Sequence, residues 1–379
     1  MKETRRDFLK IIGAGAVSGL LPPEASAQVQ AASAPSVKRP NFLLLLPDQH
    51  RFDWVSTTEN IPVRTPAFES LANRGVRFTR AFCPSPLCAP SRASLASGKE
   101  YSRCGVKNNG VDYPLDQTTF YALLRNAGYQ VLGCGKFDLH KASKTWGVAG
   151  KHLLSEWGFS DGIDNAGKWD AINSGKDVPK DPYMYYLEQR RLREVHIQDF
   201  MRRRKAGKSA AFPTPLPDEA YCDNWIGKNG LDLIRSVPPG DPWFLQVNFA
   251  GPHDPWDVTQ RMHALYEGVD FPPPNRNSQF DEKTHTKIRR NYSAMVENID
   301  RWTSIYIEEL KKRGELENTV IVYSSDHGEM LGDHDRWGKA VPYQPSVGIP
   351  MAAAGPDIKR GVVSGALVSL MDLAATFLD

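Results

Sequence analysis

The stretch Asn41-Phe42-Leu43-Leu44-Leu45-Leu46 is apolar without alternation. A strand with one wet face would turn polar at every second position. One that stays apolar is buried on both faces, and such strands belong to parallel sheets covered by helices on each side. Further strands are expected at 76–82, 129–134, 243–249 and 319–324. Helix signals separate them. Thr65-Pro66 opens a helix that Gly75 closes, with Thr65 as cap and Pro66 at its first position. Small residues favour a helix from Pro90 to Ser97, Asp116 caps one running to Asn126, and helix-like stretches cover 219–236 and 281–312. Strands alternating with helices predict an α/β fold with a mostly parallel central sheet flanked by helices.

Ligands of such sheets bind at the carboxyl ends of the strands. Polar clusters stand at four of those ends: Pro47-Asp48-Gln49-His50, Gly135-Lys136-Phe137-Asp138-Leu139-His140, Pro252-His253-Asp254-Pro255-Trp256 and Ser325-Asp326-His327-Gly328. Each holds metal-binding or acid–base side chains, and four together point to one catalytic site.

Composition removes several alternatives. The chain has 379 residues, 41% hydrophobic and 24% charged, which are globular values. At that length roughly 150 residues per domain predicts two or three domains, or one large α/β domain with insertions. A net charge of +3 argues against nucleic acid as a partner. Five cysteines are too few for a disulfide scaffold. Residues 141–218 read as an insertion without clear periodicity. Its basic stretch, Arg190, Arg191, Arg193, Arg202, Arg203, Arg204 and Lys205, is either a solvated helix face or a rim attracting an anionic substrate.

Thr4-Arg5-Arg6-Asp7-Phe8-Leu9-Lys10, the apolar stretch from Ile11 to Leu21 and Ala25-Ser26-Ala27 resemble a twin-arginine export signal with its cleavage site. The apolar part falls short of the about 20 residues of a membrane span, and no later segment is apolar enough. The expectation is residues 1–27 as signal, 28–40 as leader, the twin-arginine export machinery as partner, and a periplasmic or secreted location.

Cys88-Ala89-Pro90-Ser91-Arg92, taken with Asp48-Gln49, Ser325-Asp326-His327-Gly328 and Lys339, resembles the type I, formylglycine-dependent sulfatases of the alkaline phosphatase superfamily. The resemblance runs from about residue 40 to the end, in the family's order. It implies the alkaline phosphatase-like sulfatase fold over 41–379. It also implies a chain cut short before a C-terminal subdomain with an antiparallel sheet, which would leave an apolar face uncovered. Cys88 would be oxidised to formylglycine by a maturation enzyme. Pro90 at a first helical position would put that group at a helix N-terminus, where N–H groups and the dipole favour anions. Arg92, one turn on, would reach back to the same place.

The resemblance implies a cation held by Asp48, Gln49, the Cys88-derived diol, Asp326 and His327. These are mostly hard oxygen donors, suited to Ca²⁺, with Mg²⁺ or Mn²⁺ as alternatives. Many relatives carry Asp at the Gln49 position and Asn at the His327 position. Lys136 and Lys339 match the family's sulfate-binding lysines, and His253 its general acid. The histidine that commonly follows the first lysine by two residues is replaced by Asp138. The expectation here is His140 as base and Asp138 as a substrate contact beside Asp254, Trp256 and His334. The implied activity is hydrolysis of a sulfate ester on a sulfated carbohydrate or aryl compound. The alternatives are a phosphonate monoester or phosphodiester hydrolase on the same scaffold, or a non-catalytic fragment if Cys88 is not matured.

Overall fold

The computed structural model describes residues 39–276 and 278–379. The export signal, and the leader except Arg39 and Pro40, lie outside the described residues. The strands are β1 (Asn41–Asp48), β2 (Val76–Phe82), β3 (Gln130–Gly135), β4 (Asp161–Asp164), β5 (Trp243–Pro252), β6 (Thr319–Tyr323), β7 (Met351–Ala354) and β8 (Val362–Ser369). They form one sheet in the order β4-β3-β5-β1-β6-β7-β2-β8. All neighbouring pairs are parallel except those of β7, which runs against both β6 and β2.

β1 is buried at every position, between β5 and β6. Its side chains divide between two cores, as the two-residue period of a strand demands. Leu43 and Leu45 face one core with Leu245, Val247, Ile321 and the long helices behind them. Phe42, Leu44 and Leu46 face the other, with Ala93, Leu95, Phe120, Leu124 and Phe377. The labelled helices are α1 (Pro66–Arg74), α2 (Cys88–Ser97), α3 (Phe120–Asn126), α4 (Lys168–Gly175), α5 (Pro182–Gln189), α6 (Arg193–Ala206), α7 (Cys222–Ser236), α8 (Glu282–Lys312) and α9 (Asp372–Thr376).

Three helix starts differ from expectation. Thr65 makes no side-chain cap on α1. Asp300 of α8 does so instead, accepting from Ala67 N at 2.9 Å and Phe68 N at 2.8 Å. α2 begins at Cys88, so Pro90 is its third residue rather than its first. α3 is capped by Thr119, whose hydroxyl accepts from Ala122 N at 3.1 Å, and not by Asp116.

The segment 141–218 is more ordered than its sequence pattern implied. It contributes edge strand β4 and helices α4, α5 and α6. Strands β7 and β8 carry no signal in the reading above. Among the described residues no helix is long and apolar enough to cross a membrane.

Candidate active site

Four strand ends and the first turn of α2 converge on one buried group. β1 delivers Asp48 and Gln49, β3 delivers Lys136 and Asp138, β5 leads into His253, and β6 leads into Asp326 and His327. The ligand-type atoms of Asp48, Cys88, Asp326 and His327 all lie within 4.8 Å of one another, and all four residues are buried. Cys88 Sγ is 3.2 Å from His327 Nε2 and 3.9 Å from Asp48 Oδ1.

Local backbone explains why these side chains point inward. Gly135 ends β3 at φ +98, and a Cβ there would lie 1.9 Å from the Asn248 carbonyl oxygen of β5. Only glycine permits that approach. It lets Lys136 N donate to the same carbonyl at 3.0 Å as the chain turns. Gln49 and Asp138 both adopt left-handed φ, 69° and 56°. Such conformations are costly for residues other than glycine and cluster at functional sites.

Arg92 is the central tie. Its guanidinium donates to Asp326 Oδ2 at 2.9 Å, Asp48 Oδ2 at 3.2 Å, Asn248 Oδ1 at 3.1 Å and the Lys136 carbonyl at 2.5 Å. It therefore grips the carboxylates, with none of these bonds directed at Cys88. Lys136 Nζ pairs with Asp48 and lies 3.1 Å from Asp138 Oδ2. Burial alone would raise the Asp48 pKa, but Lys136, His253, Arg92 and Lys339 hold it well below the ordinary carboxylate value. Burial and Asp48 oppose ionisation of the Cys88 thiol. The cationic Lys136, Lys339 and His327 outweigh them and hold its pKa well below the usual thiol value. The other four cysteines are free thiols as well, and burial pushes Cys83 and Cys134 upward.

On the opposite wall, Lys339 Nζ contacts Gln49 Oε1 and lies 2.6 Å from His253 Nε2. The His253 Nδ1 faces the Asp254 carbonyl at 2.6 Å, which leaves Nε2 directed at the site. Cys88, Arg92, Lys136, His253, Lys339, Asp48, Gln49, Asp326 and His327 thus form one contact network, with Asp138 at its edge.

His140 does not join it. Its Nε2 is bound to Asp164 Oδ2 at 2.6 Å, its Nδ1 lies 3.3 Å from Thr145 Oγ1, and its ring packs against Trp146 and Trp157. Asp138 stays beside the network through Lys136, 3.1 Å from its Oδ2. One Asp138 oxygen bonds Lys141 at 2.8 Å, while the other is buried with no hydrogen-bond partner. Trp256 is 2% exposed, packed against Tyr292 and Trp337, and shows only a small part of its surface to the cleft it lines with Trp169 and Asp254. His334 is half-buried and stacks on Tyr343 at 4.6 Å. Asp254 receives Trp169 Nε1 at 3.3 Å and Lys208 Nζ at 3.4 Å.

Three supporting residues escaped the sequence reading. Glu329 is fully buried and accepts from Gln49 Nε2, Leu331 N at 3.0 Å and Gly338 N at 2.6 Å. Asn248 accepts from Arg92 and from Gln246 Nε2 at 2.7 Å. Asn109 accepts from Ala89 N at 3.0 Å, at the start of α2. Glu329 was within reach of inference, since it lies two residues beyond His327. The two asparagines carried no signal.

The model of the sulfatase family matches residues 40–379. The chain belongs to the sulfatase family. By that membership it is a sulfuric ester hydrolase. Its similar proteins include an arylsulfatase of Clostridium perfringens, 25% identical over 367 residues, covering 90% of this chain and 74% of the relative. An N-acetylglucosamine-6-O-sulfatase of Bacteroides thetaiotaomicron is 26% identical over 406 residues, covering 96% and 72%. Among solved structures, the phosphonate monoester hydrolase of Agrobacterium radiobacter superposes with a TM-score of 0.74 at 21% identity, covering 88% of this chain and 72% of that one. At that identity it shows the shared fold.

The donor set suits a divalent cation. Two carboxylates and the Gln49 amide oxygen are hard donors, and the buried cluster has the compactness a single ion needs. The Cys88 thiol, a soft ligand, and the His327 imidazole nitrogen complete the cluster.

Proposed function

We propose that this sulfatase removes sulfate from a sulfated carbohydrate, using formylglycine made from Cys88 and a divalent cation, most simply Ca²⁺. The observation that carries the reading is the placement of Cys88 Sγ, 3.2 Å from His327 Nε2 and 3.9 Å from Asp48 Oδ1, in the first turn of α2. Asp48, Gln49, Asp326 and His327 would hold the cation, which when bound supplies positive charge to polarise a sulfate oxygen. Hydrated formylglycine at Cys88 would supply two oxygens on one carbon, a nucleophile for sulfur and a second hydroxyl for releasing sulfate.

The chain's own residues do the rest. Lys136 and Lys339 approach the group from two sides and balance the charge on the sulfate oxygens. His253 Nε2 is directed at the site, with its Nδ1 against a backbone carbonyl, so a proton carried on Nε2 would pass to the leaving alcohol, and Lys339 beside it would then make up the charge. Asp138 is assigned the diol proton, on the support of its unpartnered buried oxygen, while His140 is tied to Asp164. The carbohydrate substrate is supported by the N-acetylglucosamine-6-O-sulfatase among the relatives. Export through the twin-arginine route into the periplasm or beyond belongs to the same proposal, and would bring the enzyme to polymeric glycans.

A second reading, phosphonate or phosphodiester hydrolysis, is favoured by the fold match to a phosphonate monoester hydrolase. Two measurements decide. The Cys88 peptide, from protein made with a maturation enzyme, is expected to show the lower mass of an aldehyde in place of a thiol; an unmodified thiol overturns the mechanism. The matured enzyme is expected to cleave 4-nitrophenyl sulfate faster than a phenyl phosphonate monoester, and the reverse order overturns the sulfatase reading.

A further inference from the structure

A cleft of about 250 Å³ opens beside the catalytic group, walled by Trp169, Arg204, Lys208, Asp254 and Pro255. It shares its wall with the proposed general acid, for Asp254 and Pro255 directly follow His253. Its far side comes entirely from the segment the sequence marked as an insertion. The junction is firm. Lys168, buried at the head of α4, donates to the carbonyl of His253 at 3.0 Å and to Asp257 Oδ1 at 2.7 Å. Trp169, its neighbour, is hydrogen-bonded to Asp254.

The basic stretch of α6 separates into two parts here. Arg202 and Arg203 are bound to Asp199 at 2.9 and 2.8 Å, and Arg193 lies 3.3 Å from Glu188. Those residues hold the helix together. Arg204 is different: it meets the neutral amide of Asn173 at 2.5 Å and sits over the Trp169 ring at 5.1 Å. A cation over an aromatic face keeps its charge and most of its donors. Counting Arg203 against Asp199 and Lys208 against Asp254, Arg204 leaves the cleft one cation in excess.

We propose that this cleft is a second subsite, taking an anionic sugar unit joined to the one that bears the scissile sulfate. The inference rests on the carbohydrate sulfatase reading. Arg204 and Lys208 bind the unit's negative group, a carboxylate or a second sulfate, and Asp254 accepts a sugar hydroxyl. The volume admits about one ring. Both cations stand on the rim of the cleft, where approaching anions are drawn in.

The test is binding, read by calorimetry with protein whose Cys88 is unconverted, so that turnover plays no part. Three disaccharides are compared, each with a sulfated hexose: one joined to a neutral hexose, one to a hexuronate, one to a second sulfated hexose. Wild type is expected to bind at least one anionic form tenfold or more tighter than the neutral form, and the arm that gains names the anion. The double variant Arg204→Ala, Lys208→Ala is expected to abolish that gain. Both side chains are exposed, so folding is not at risk. Equal affinity for all three compounds, or an unchanged gain in the variant, overturns the proposal. In matured enzyme the double variant is expected to keep its rate on 4-nitrophenyl sulfate. If wild type is silent on that ester, the functional reading fails by itself, and the binding result still decides the subsite.

Discussion

Arg92 and Glu329 show how much of the buried cluster is held together by bonds among its own side chains. Arg92 bridges Asp48 and Asp326, which would otherwise be two buried carboxylates side by side. Arg92→Ala is expected to cost about 3–5 kcal/mol, because breaking a buried pair strands its partners. Urea unfolding of the variant checks this, and a loss below about 1 kcal/mol would show that the carboxylates find other partners. Glu329 binds the Gln49 Nε2, which fixes the amide so that Oε1 faces Lys339. Glu329→Gln lets the amide flip. It is expected to weaken cation binding about 10–100-fold, as loss of a ligand's support does, measured by Ca²⁺ titration without substrate. Unchanged affinity would make Glu329 merely a loop staple for Leu331 and Gly338. At this scale the sequence was most legible where residue type and strand-end position coincide, as at Asp48 and Asp326. It gave no hint that His140 is bound to Asp164, because that partner lies 24 residues on, in β4.

Elements carry a pH sensitivity of their own. His196 on α6 is buried among Tyr183 and Phe200. Burial first, then Arg203 and Lys168, lower its pKa from 6.5 to about 3. Below pH 6.5 the unfolded chain takes up a proton that the folded chain refuses, so wild type loses stability as pH falls toward 3. His196→Phe removes that liability. The stability of wild type relative to the variant is expected to fall by up to about 1.4 kcal/mol per pH unit below 6.5, and to stay level above it. Denaturant titrations at pH 7 and pH 5 measure it; a constant difference would mean His196 is charged in the fold. α6 itself was only half legible. Its basic residues were evident, but Asp199, which pairs with two of them, gave no hint of its partners. The cap of α1 was hidden for a similar reason, since Asp300 is 233 residues away from Ala67.

On the scale of the molecule, the site is a seam joining strands distant in sequence, so a bound cation should stabilise the whole fold. A ligand at 100 times its dissociation constant adds about 2.7 kcal/mol. Chelation is expected to lower the melting temperature of matured enzyme, and Ca²⁺ to restore it; an unchanged melting temperature would mean that the carboxylates carry no ion. The sequence by itself determined the sheet class, because an apolar strand without alternation has to be covered on both faces. It also picked out most of the side chains that meet in the buried cluster, because metal-binding and acid–base residue types stand out at strand ends. Tertiary structure decided what periodicity cannot encode. The run Met351–Ala354 becomes a strand only by lying between β6 and β2, and Asp161–Asp164 only by pairing with β3. Trp256 is nearly all buried and Trp169 only partly, although both line the cleft, because packing against α8 and α6, not residue type, sets how much of each ring is left facing water.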